Sequence, residues 1–108
     1  MTDNTLAEMS KYVANNYLSV MITYWNEVKV LCDKVGVNPH ALSKIVTMDS
    51  RIDSYGTIMG KGLTGKCLPK DLDAMLEFSH NAEVEPILLD AVKRADIRIR
   101  NRGKNESI

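Results

Sequence analysis

Apolar residues recur at helical spacing from the start of the chain to Gly36, with no proline or glycine between them. Thr5 and Glu8 form a capping box, a pair of side chains that satisfies free backbone amides at a helix start. Lys34 followed by Gly36 is typical of a helix end. The pattern therefore predicts one helix of about 30 residues, which is roughly 45 Å long at 1.5 Å per residue.

The apolar residues of this long helix are not confined to one stripe. They are Leu6, Met9, Tyr12, Val13, Tyr17, Leu18, Met21, Ile22, Tyr24, Trp25, Val28, Leu31 and Cys32. A helix that is apolar nearly all round needs cover on several faces, and the rest of the chain can cover one side. A second copy is the expected cover for the other side, because twofold homodimers are the commonest assembly. A monomer with a partly exposed helix is the alternative.

Shorter helices are predicted for the rest of the chain. Asn38 followed by Pro39 is a helix cap with proline at the first helical position. Proline and glycine signals place the shorter helices at about 39–48, 69–79 and 86–103, with a loop over 49–57. No stretch alternates with period two, so the predicted fold is all-α, with shorter helices packed on a long central helix.

Length and charge limit the classes of function. At 108 residues the chain is predicted to be a single helical domain, with a core of about 5–102 and a basic tail over 103–108. Its 14 basic and 14 acidic residues cancel, so no overall field attracts nucleic acid or a membrane. No apolar run approaches the roughly 20 residues of a membrane-spanning helix. Two cysteines do not make a disulfide framework, so a cytoplasmic location is expected.

Cys67 follows three closely spaced glycines, Gly60, Gly62 and Gly65, and directly precedes a predicted helix start. Backbone amides at that position, with Lys66 and Lys70 nearby, favour the thiolate form, and Asp71 could hold a water. A buried structural thiol is the alternative, because free cysteine most often acts as a small apolar residue. The residues leave both interpretations open for Cys67, whereas Cys32 is expected in the core.

Lys11 and Asn15 stand four residues apart and therefore share one face of the long helix. An ammonium and a carboxamide aimed at one point could stabilise an oxyanion. On spacing alone an ordinary solvated face is the favoured interpretation. Asn26 and Glu27, further along the helix, are expected to support the helix or a dimer seam rather than chemistry.

Three motifs follow one another along nearly the whole chain, from about Ala7 to Asp96. They are AEMSKYVANN with an Asn-Glu further along the same helix, then MDSRID, then GKGLTGKCLPKDL. In order and spacing these motifs resemble the central domain of the UDP-glucose/GDP-mannose dehydrogenase family. The resemblance implies an all-α fold of the 6-phosphogluconate-dehydrogenase C-terminal-like type.

The resemblance implies an NAD-dependent oxidation of UDP-glucose, or of a related UDP- or GDP-sugar, to the uronate. Cys67 matches the nucleophile that forms a thiohemiacetal and then a thioester. Asp71 matches the aspartate that positions or activates water. Lys11 and Asn15 match the pair that stabilises the oxyanion, and Lys11 could share acid-base work.

The resemblance also implies the substrate-binding residues Arg51, Gly60, Lys61, Gly62, Leu63, Thr64 and Lys70. Arg51 matches an arginine that contacts the sugar nucleotide, in many members from the neighbouring subunit. The backbone of residues 60–64 would lie along the substrate. Thr64 stands where the family has glycine, and so does Asp53. Either departure could alter substrate choice or signal relaxed selection.

Family members place an NAD-binding Rossmann domain before this helical domain and a further domain after it. The present sequence has no Gly-x-Gly-x-x-Gly that follows a strand, so it is expected to be inactive alone, with NAD bound elsewhere. Whether it is a piece cut from a longer enzyme or a natural short protein stays open, as does a separate Rossmann-domain chain. The alternative function is a non-catalytic helical homodimerisation or interaction module left from a truncated or split dehydrogenase.

Two other kinds of site are weighed and not favoured. A cluster of basic residues near the end of the chain is a possible nucleic-acid patch, but it lacks interleaved aromatic residues and the chain has no net positive charge. Cations there also suit a helix C-terminus. His40 and His80 lie far apart without other ligands at metal-binding spacing. No metal, nucleic acid or membrane is therefore expected.

Overall fold

The computed structural model describes residues 3–63 and 67–106, with side chains for 5–63 and 67–102. The helices over these residues are α1 (Asp3–Val35), α2 (Pro39–Val46), α3 (Cys67–Asn81) and α4 (Ile87–Glu106). No β-strand occurs within the described ranges, and the predicted all-α fold is confirmed. None of these helices, as far as they are described, combines the length and apolar content needed to cross a membrane.

The long helix α1 sets the shape of the molecule. It has 33 residues, and the longest dimension of the chain is 50 Å. The radius of gyration is 15.6 Å, whereas a compact chain of this length has about 13 Å. The predicted capping box is wrong, because α1 is described from Asp3 onward and Thr5 lies inside the helix rather than at its cap. The predicted end is confirmed: Gly36 has φ +79°, and Val37 N–H donates to the Cys32 carbonyl at 2.9 Å.

The predicted cap of α2 is confirmed. Asn38 Oδ1 accepts from the N–H groups of His40 and Ala41 at 2.9 and 3.1 Å, and Pro39 takes the first helical position. These N–H groups have no acceptor within the helix, so the asparagine side chain stabilises its start. The chain from residue 47 to residue 63 is not helical, which includes the predicted loop.

The ends of α2 and α3 each differ by two residues from the prediction, and the start of α3 and the end of α4 differ for identifiable reasons. The described part of α3 begins at Cys67, two residues before the expected Pro69. Proline is tolerated there, because the N–H groups of a first turn need no acceptor within the helix. α4 continues past Gly103 to Glu106. A single glycine costs a helix only about 1 kcal/mol, so it does not by itself end one.

The hydrophobic core lies where α1, α3, α4 and Leu63 meet. Its buried residues are Leu63, Leu72, Leu76 and Val92, with Val20, Ile22, Leu68 and Leu89 packed against them. α1 makes its most extensive contacts with α3 and then with α4. Burial of each large aliphatic side chain contributes about 1.5–3 kcal/mol, so this cluster fixes α3 and α4 on one side of α1.

α1 buries polar as well as apolar residues and exposes a row of apolar side chains on its outer side. The inner side buries the polar residues Asn16, Ser19, Thr23 and Asn26. The opposite side carries apolar residues that are 51–65% exposed, named here the outer stripe: Leu6, Val13, Tyr17, Tyr24, Leu31 and Val35. At 100° per residue these six positions fall within about 40° of one another on the helix surface. The contacts described within one chain therefore leave this apolar stripe of α1 uncovered.

Gly56 and Gly36 form a matched pair that tests how closely the loop packs on α1. Both have positive φ, +83° and +79°. A Cβ on Gly56 would meet Ile22 N at 3.1 Å, whereas a Cβ on Gly36 would meet nothing within 4 Å. We expect Gly56→Ala to lower the free energy of unfolding by about 2–4 kcal/mol and Gly36→Ala by about 1–2 kcal/mol. Urea titration measures both, and equal losses would contradict the close packing.

Candidate active site

An amide from α1 and a carboxylate from α3 meet where these helices pack. Asn15 Nδ2 donates to Asp71 Oδ2 at 2.6 Å, although the two residues are 56 positions apart. The neighbouring Asn16 donates from Nδ2 to the backbone carbonyl of Asp71 at 3.1 Å. Asp71 is only 5% exposed, and a buried polar group requires such partners. The two asparagines therefore fix the first turns of α3 against α1.

The other two predicted catalytic residues lie one helical turn from this contact. Cys67 precedes Asp71 by four residues at the start of α3, and Lys11 precedes Asn15 by four residues in α1. Residues four apart share a helix face, with Cβ atoms about 5–6 Å apart. Cys67 and Lys11 are both exposed. A thiol and an ammonium, both open to solvent, thus flank a contact between an amide and a carboxylate.

Arg51 lies in the loop after α2, and its guanidinium is paired within that loop. Nη2 donates to Asp49 Oδ2 at 2.6 Å, and Nε donates to Asp49 Oδ1 at 3.0 Å. These bonds, helped by the backbone N–H of Arg51, hold the pKa of Asp49 below its ordinary value and raise the pKa of Arg51. No hydrogen bond between described residues joins Arg51 to Cys67. Its contact with a substrate stays a prediction, as does that of Lys70, which is exposed on α3.

The glycine-rich segment, defined as residues 60–63, is held at one end by a side chain of α1. The Asn26 carboxamide accepts from Gly60 N–H at 2.7 Å and donates to the Lys61 carbonyl at 2.8 Å. Asn26 is 2% exposed, so its side chain is buried within its own chain. The signal for it in the sequence is its position eleven residues, about three turns, after Asn15 on the same helix face.

α4 holds the other end of this segment. Leu63 N–H donates to Asp96 Oδ1 at 2.6 Å, and Arg100 Nη2 donates to the Leu63 carbonyl. Asp96 Oδ2 in turn accepts from Arg100 Nε at 2.8 Å. Sequence reasoning missed Asp96 and Arg100, whose i, i+4 spacing indicates an ion pair but not what it binds. The predicted substrate contact of Leu63 stays a prediction, and its backbone groups already have protein partners. Thr64 and Lys66 lie outside the described residues.

A cavity of about 520 Å³ lies between α1 and the chain that precedes α3. Its lining residues are Ile22, Ser54, Tyr55, Gly56, Ile58, Lys61 and Gly62. Two of the predicted substrate-binding residues, Lys61 and Gly62, therefore form part of one wall. Ser54 and Tyr55 add hydroxyl groups that sequence reasoning did not single out. Their position between Arg51 and the glycine-rich segment is the signal that could have found them.

The described residues contain neither a group of potential metal ligands nor a Rossmann-type NAD site. No three His, Cys, Asp or Glu side chains there are grouped as metal ligands. The Rossmann type of NAD site needs a strand that leads through a glycine turn into a helix. Residues 3–63 and 67–106 contain no strand, so they do not fit that cofactor.

Comparison with known proteins identifies the family. The sequence model of the UDP-glucose/GDP-mannose dehydrogenase family, central domain, matches residues 5–97. UDP-glucose 6-dehydrogenase from Rickettsia bellii is 35% identical over 96 residues, which is 89% of this chain and 22% of that protein. UDP-glucose 6-dehydrogenase YwqF from Bacillus subtilis is 37% identical over 91 residues, 84% of this chain and 21% of that protein.

A solved structure shows the same fold. The UDP-glucose dehydrogenase from the hyperthermophilic archaeon Pyrobaculum islandicum superposes with a TM-score of 0.81 at 33% sequence identity. The match covers 85% of this chain and 21% of that one. The chain thus spans about a fifth of the length of these relatives, for example 22% of the Rickettsia bellii protein. From the family match and this superposition, the chain belongs to the UDP-glucose/GDP-mannose dehydrogenase family and corresponds to its central domain.

Proposed function

We propose that this chain is the catalytic-residue-bearing central domain of a UDP-glucose 6-dehydrogenase, with Cys67 as the nucleophile. The observation that carries the proposal is the 2.6 Å hydrogen bond between Asn15 and Asp71. It holds the first turns of α3 against α1, so that Cys67 and Lys11 stand one turn away on the two packed helices. Asn15 and Asp71 are therefore in direct contact, and Lys11 and Cys67 each lie one turn from them along their own helix.

The first step assigned to this chain is addition of the thiolate to an aldehyde. The Cys67 sulfur forms a bond to C6 of the sugar, and the electron pair of the C=O bond moves onto the oxygen. The Lys11 ammonium and the second N–H of the Asn15 carboxamide are suited to stabilise this oxyanion. One N–H of the Asn15 carboxamide donates to Asp71, and this hydrogen bond fixes the direction of the second N–H.

The second step assigned to this chain is hydrolysis of the thioester, which forms once the thiohemiacetal has lost a hydride from C6 to an oxidant held outside the described residues. Asp71 bonds Asn15 through Oδ2, and no described residue bonds Oδ1. Oδ1 can therefore accept a proton from water as the water oxygen bonds to the acyl carbon. The C–S bond then breaks and returns the Cys67 thiolate. Since Asp71 is held in place by two asparagines, its carboxylate is pre-oriented for this role.

The oxidant is not assigned to this chain. NAD is the cofactor that the family resemblance implies, and the described residues do not fit it. The isolated chain is therefore proposed to be inactive, with the NAD site in another domain or in a separate Rossmann-domain chain. The sugar nucleotide is proposed to lie along the glycine-rich segment and the 520 Å³ cavity, with Arg51 reaching it from a neighbouring subunit.

We also propose that the outer stripe is the seam of a homodimer. Six apolar side chains that are 51–65% exposed lie along one side of a 33-residue helix. A groove of about 730 Å³ that includes Tyr24, Val28 and Leu31 extends this surface toward α4. An apolar surface of this extent is unusual on a monomer. A twofold axis would set the same stripe against itself and cover it in both copies.

A hybrid enzyme tests the proposed function. Residues 5–97 of this chain would replace the matching segment of Bacillus subtilis YwqF, which is 37% identical over 91 residues. Since the hybrid keeps the remainder of YwqF, we expect it to form UDP-glucuronate from UDP-glucose and NAD. The isolated chain should form none. A folded hybrid without this activity would contradict the proposal.

The outer stripe also favours the second candidate, a non-catalytic homodimerisation module. This function needs the seam but not Cys67, Asp71 or Lys11. The hybrid separates the two candidates, because a dimerisation module would give a dimeric hybrid that forms no UDP-glucuronate. The catalytic domain would give a hybrid that is both dimeric and active.

A further inference from the structure

We propose that Asn26, Asp96 and Arg100 are positioning residues that hold the glycine-rich segment in the shape that a sugar nucleotide meets. The inference rests on the proposed function, in which this segment lies along the substrate. Asn26 is part of the Asn-Glu in the first family motif, whereas Asp96 and Arg100 lie outside the residues that the motifs assign to catalysis. They reach the segment from two different helices, α1 and α4.

The first anchor is the carboxamide of Asn26. It accepts a hydrogen bond from Gly60 N–H at 2.7 Å and donates one to the Lys61 carbonyl at 2.8 Å. One planar amide thus offers an acceptor to Gly60 and a donor to Lys61. Gly60 has φ +95°, a conformation that residues with a side chain rarely adopt, and the Asn26 contact helps to hold it.

The second anchor is the Asp96–Arg100 pair of α4. Asp96 accepts a hydrogen bond from the N–H of Leu63, and Arg100 donates one to the Leu63 carbonyl. Arg100 Nε also donates to Asp96 Oδ2 at 2.8 Å. Both backbone groups of Leu63 are therefore fixed by one ion pair. Bonds of this kind, in which a partner is charged, are roughly twice as strong as neutral ones. The buried Leu63 side chain fixes the same residue from the core side.

Gly62 shows how closely the segment lies against this pair. A Cβ at Gly62 would come within 2.8 Å of Arg100 Cγ and of Asp96 Oδ1, so this position has no space for a side chain. On its other side Gly62 lines the 520 Å³ cavity with Lys61. No described group accepts a hydrogen bond from the N–H of Lys61 or Gly62. The three positioning residues thus bond backbone groups at the two ends of the segment, and the N–H groups of Lys61 and Gly62 can donate to a ligand.

The test measures binding of UDP-glucose to the chain by NMR, using the amide signals of Lys61 and Gly62. The variants are Arg100→Met, Arg100→Lys and the control Lys93→Met. Lys93 is on the same helix and pairs with Asp73, so its replacement removes one positive charge without touching the segment. Arg100→Lys keeps the charge but loses the fork that holds Asp96 and Leu63 together. It also keeps the test usable if Arg100→Met does not fold.

We expect UDP-glucose to shift both amide signals, with Kd about tenfold higher in Arg100→Met, as for the loss of one such hydrogen bond. Arg100→Lys should weaken binding by about threefold or more, and Lys93→Met should bind as the unmodified chain does. Equal Kd values in all folded variants would overturn the inference alone. If Arg100→Lys binds as well as the unmodified chain, Arg100 acts only through its charge, which also overturns positioning. No shift in the unmodified chain would overturn both the inference and the proposed substrate.

Discussion

Replacing Cys67 with alanine is expected to lower kcat of the YwqF hybrid for UDP-glucuronate formation by at least about a thousandfold. The loss follows because no thiohemiacetal or thioester can form without the sulfur. Cys67 is exposed, so the change removes no core contact and the variant should fold. The rate is measured from product formation at saturating UDP-glucose, and a circular dichroism melt verifies the fold.

Cys32→Ala is the matched control for this prediction. Cys32 is 3% exposed in α1 and lies away from the Asn15–Asp71 contact. The substitution should lower stability by about 1 kcal/mol through lost burial, with kcat changed less than about threefold. A Cys67→Ala hybrid that keeps most of its activity would contradict the assigned nucleophile. Equal loss in both variants would indicate damage to the fold rather than to chemistry.

The double substitution Tyr17→Lys and Tyr24→Lys is expected to convert the chain from a dimer to a monomer. Both tyrosines lie on the outer stripe and are 65% and 60% exposed in the single chain. A twofold seam would bury four tyrosine rings in the unmodified dimer. In the variant it would have to bury four ammonium groups instead, each of which is costly to bury without a partner. We expect the dimer Kd to rise at least about a hundredfold, as measured by sedimentation equilibrium.

Phe78→Lys provides the control for the seam. Phe78 is a large exposed apolar residue on α3, outside the outer stripe, and receives the same type of substitution. It should leave the dimer Kd unchanged. A chain that is monomeric before any substitution would refute the seam. So would a dimer that Phe78→Lys dissociates and the double tyrosine variant does not.

Local chemistry explains why most of the fold could be predicted. The end of α1 follows from Gly36, whose left-handed backbone lets the last carbonyls find donors. The start of α2 follows from Asn38 and Pro39, because the cap and the fixed φ act within three residues. The errors lie where a local signal is permissive rather than decisive. Pro69 is allowed at several positions of a first turn, and Gly103 only weakens a helix.

The candidate site could be predicted only in part. The motifs single out Cys67 and Asp71, but the Asn15–Asp71 bond spans 56 residues and depends on how α3 packs on α1. The residues that hold the glycine-rich segment are even harder to predict from the sequence. Asn26 and its partner Lys61 are 35 residues apart, and Arg100 lies 37 residues from Leu63. Neither spacing carries a periodic signal, so these contacts emerge only from tertiary packing.

The central claim is that Cys67 forms a covalent intermediate with the sugar, and rapid quenching of the YwqF hybrid during turnover tests it most directly. Asp71→Asn should slow thioester hydrolysis while it can still accept from Asn15, so the intermediate should accumulate in that variant. Peptide mass mapping is expected to find a UDP-glucuronyl thioester on the peptide that contains Cys67, and none after Cys67→Ser. A hybrid that forms UDP-glucuronate without any adduct on that peptide, in either background, would contradict the claim.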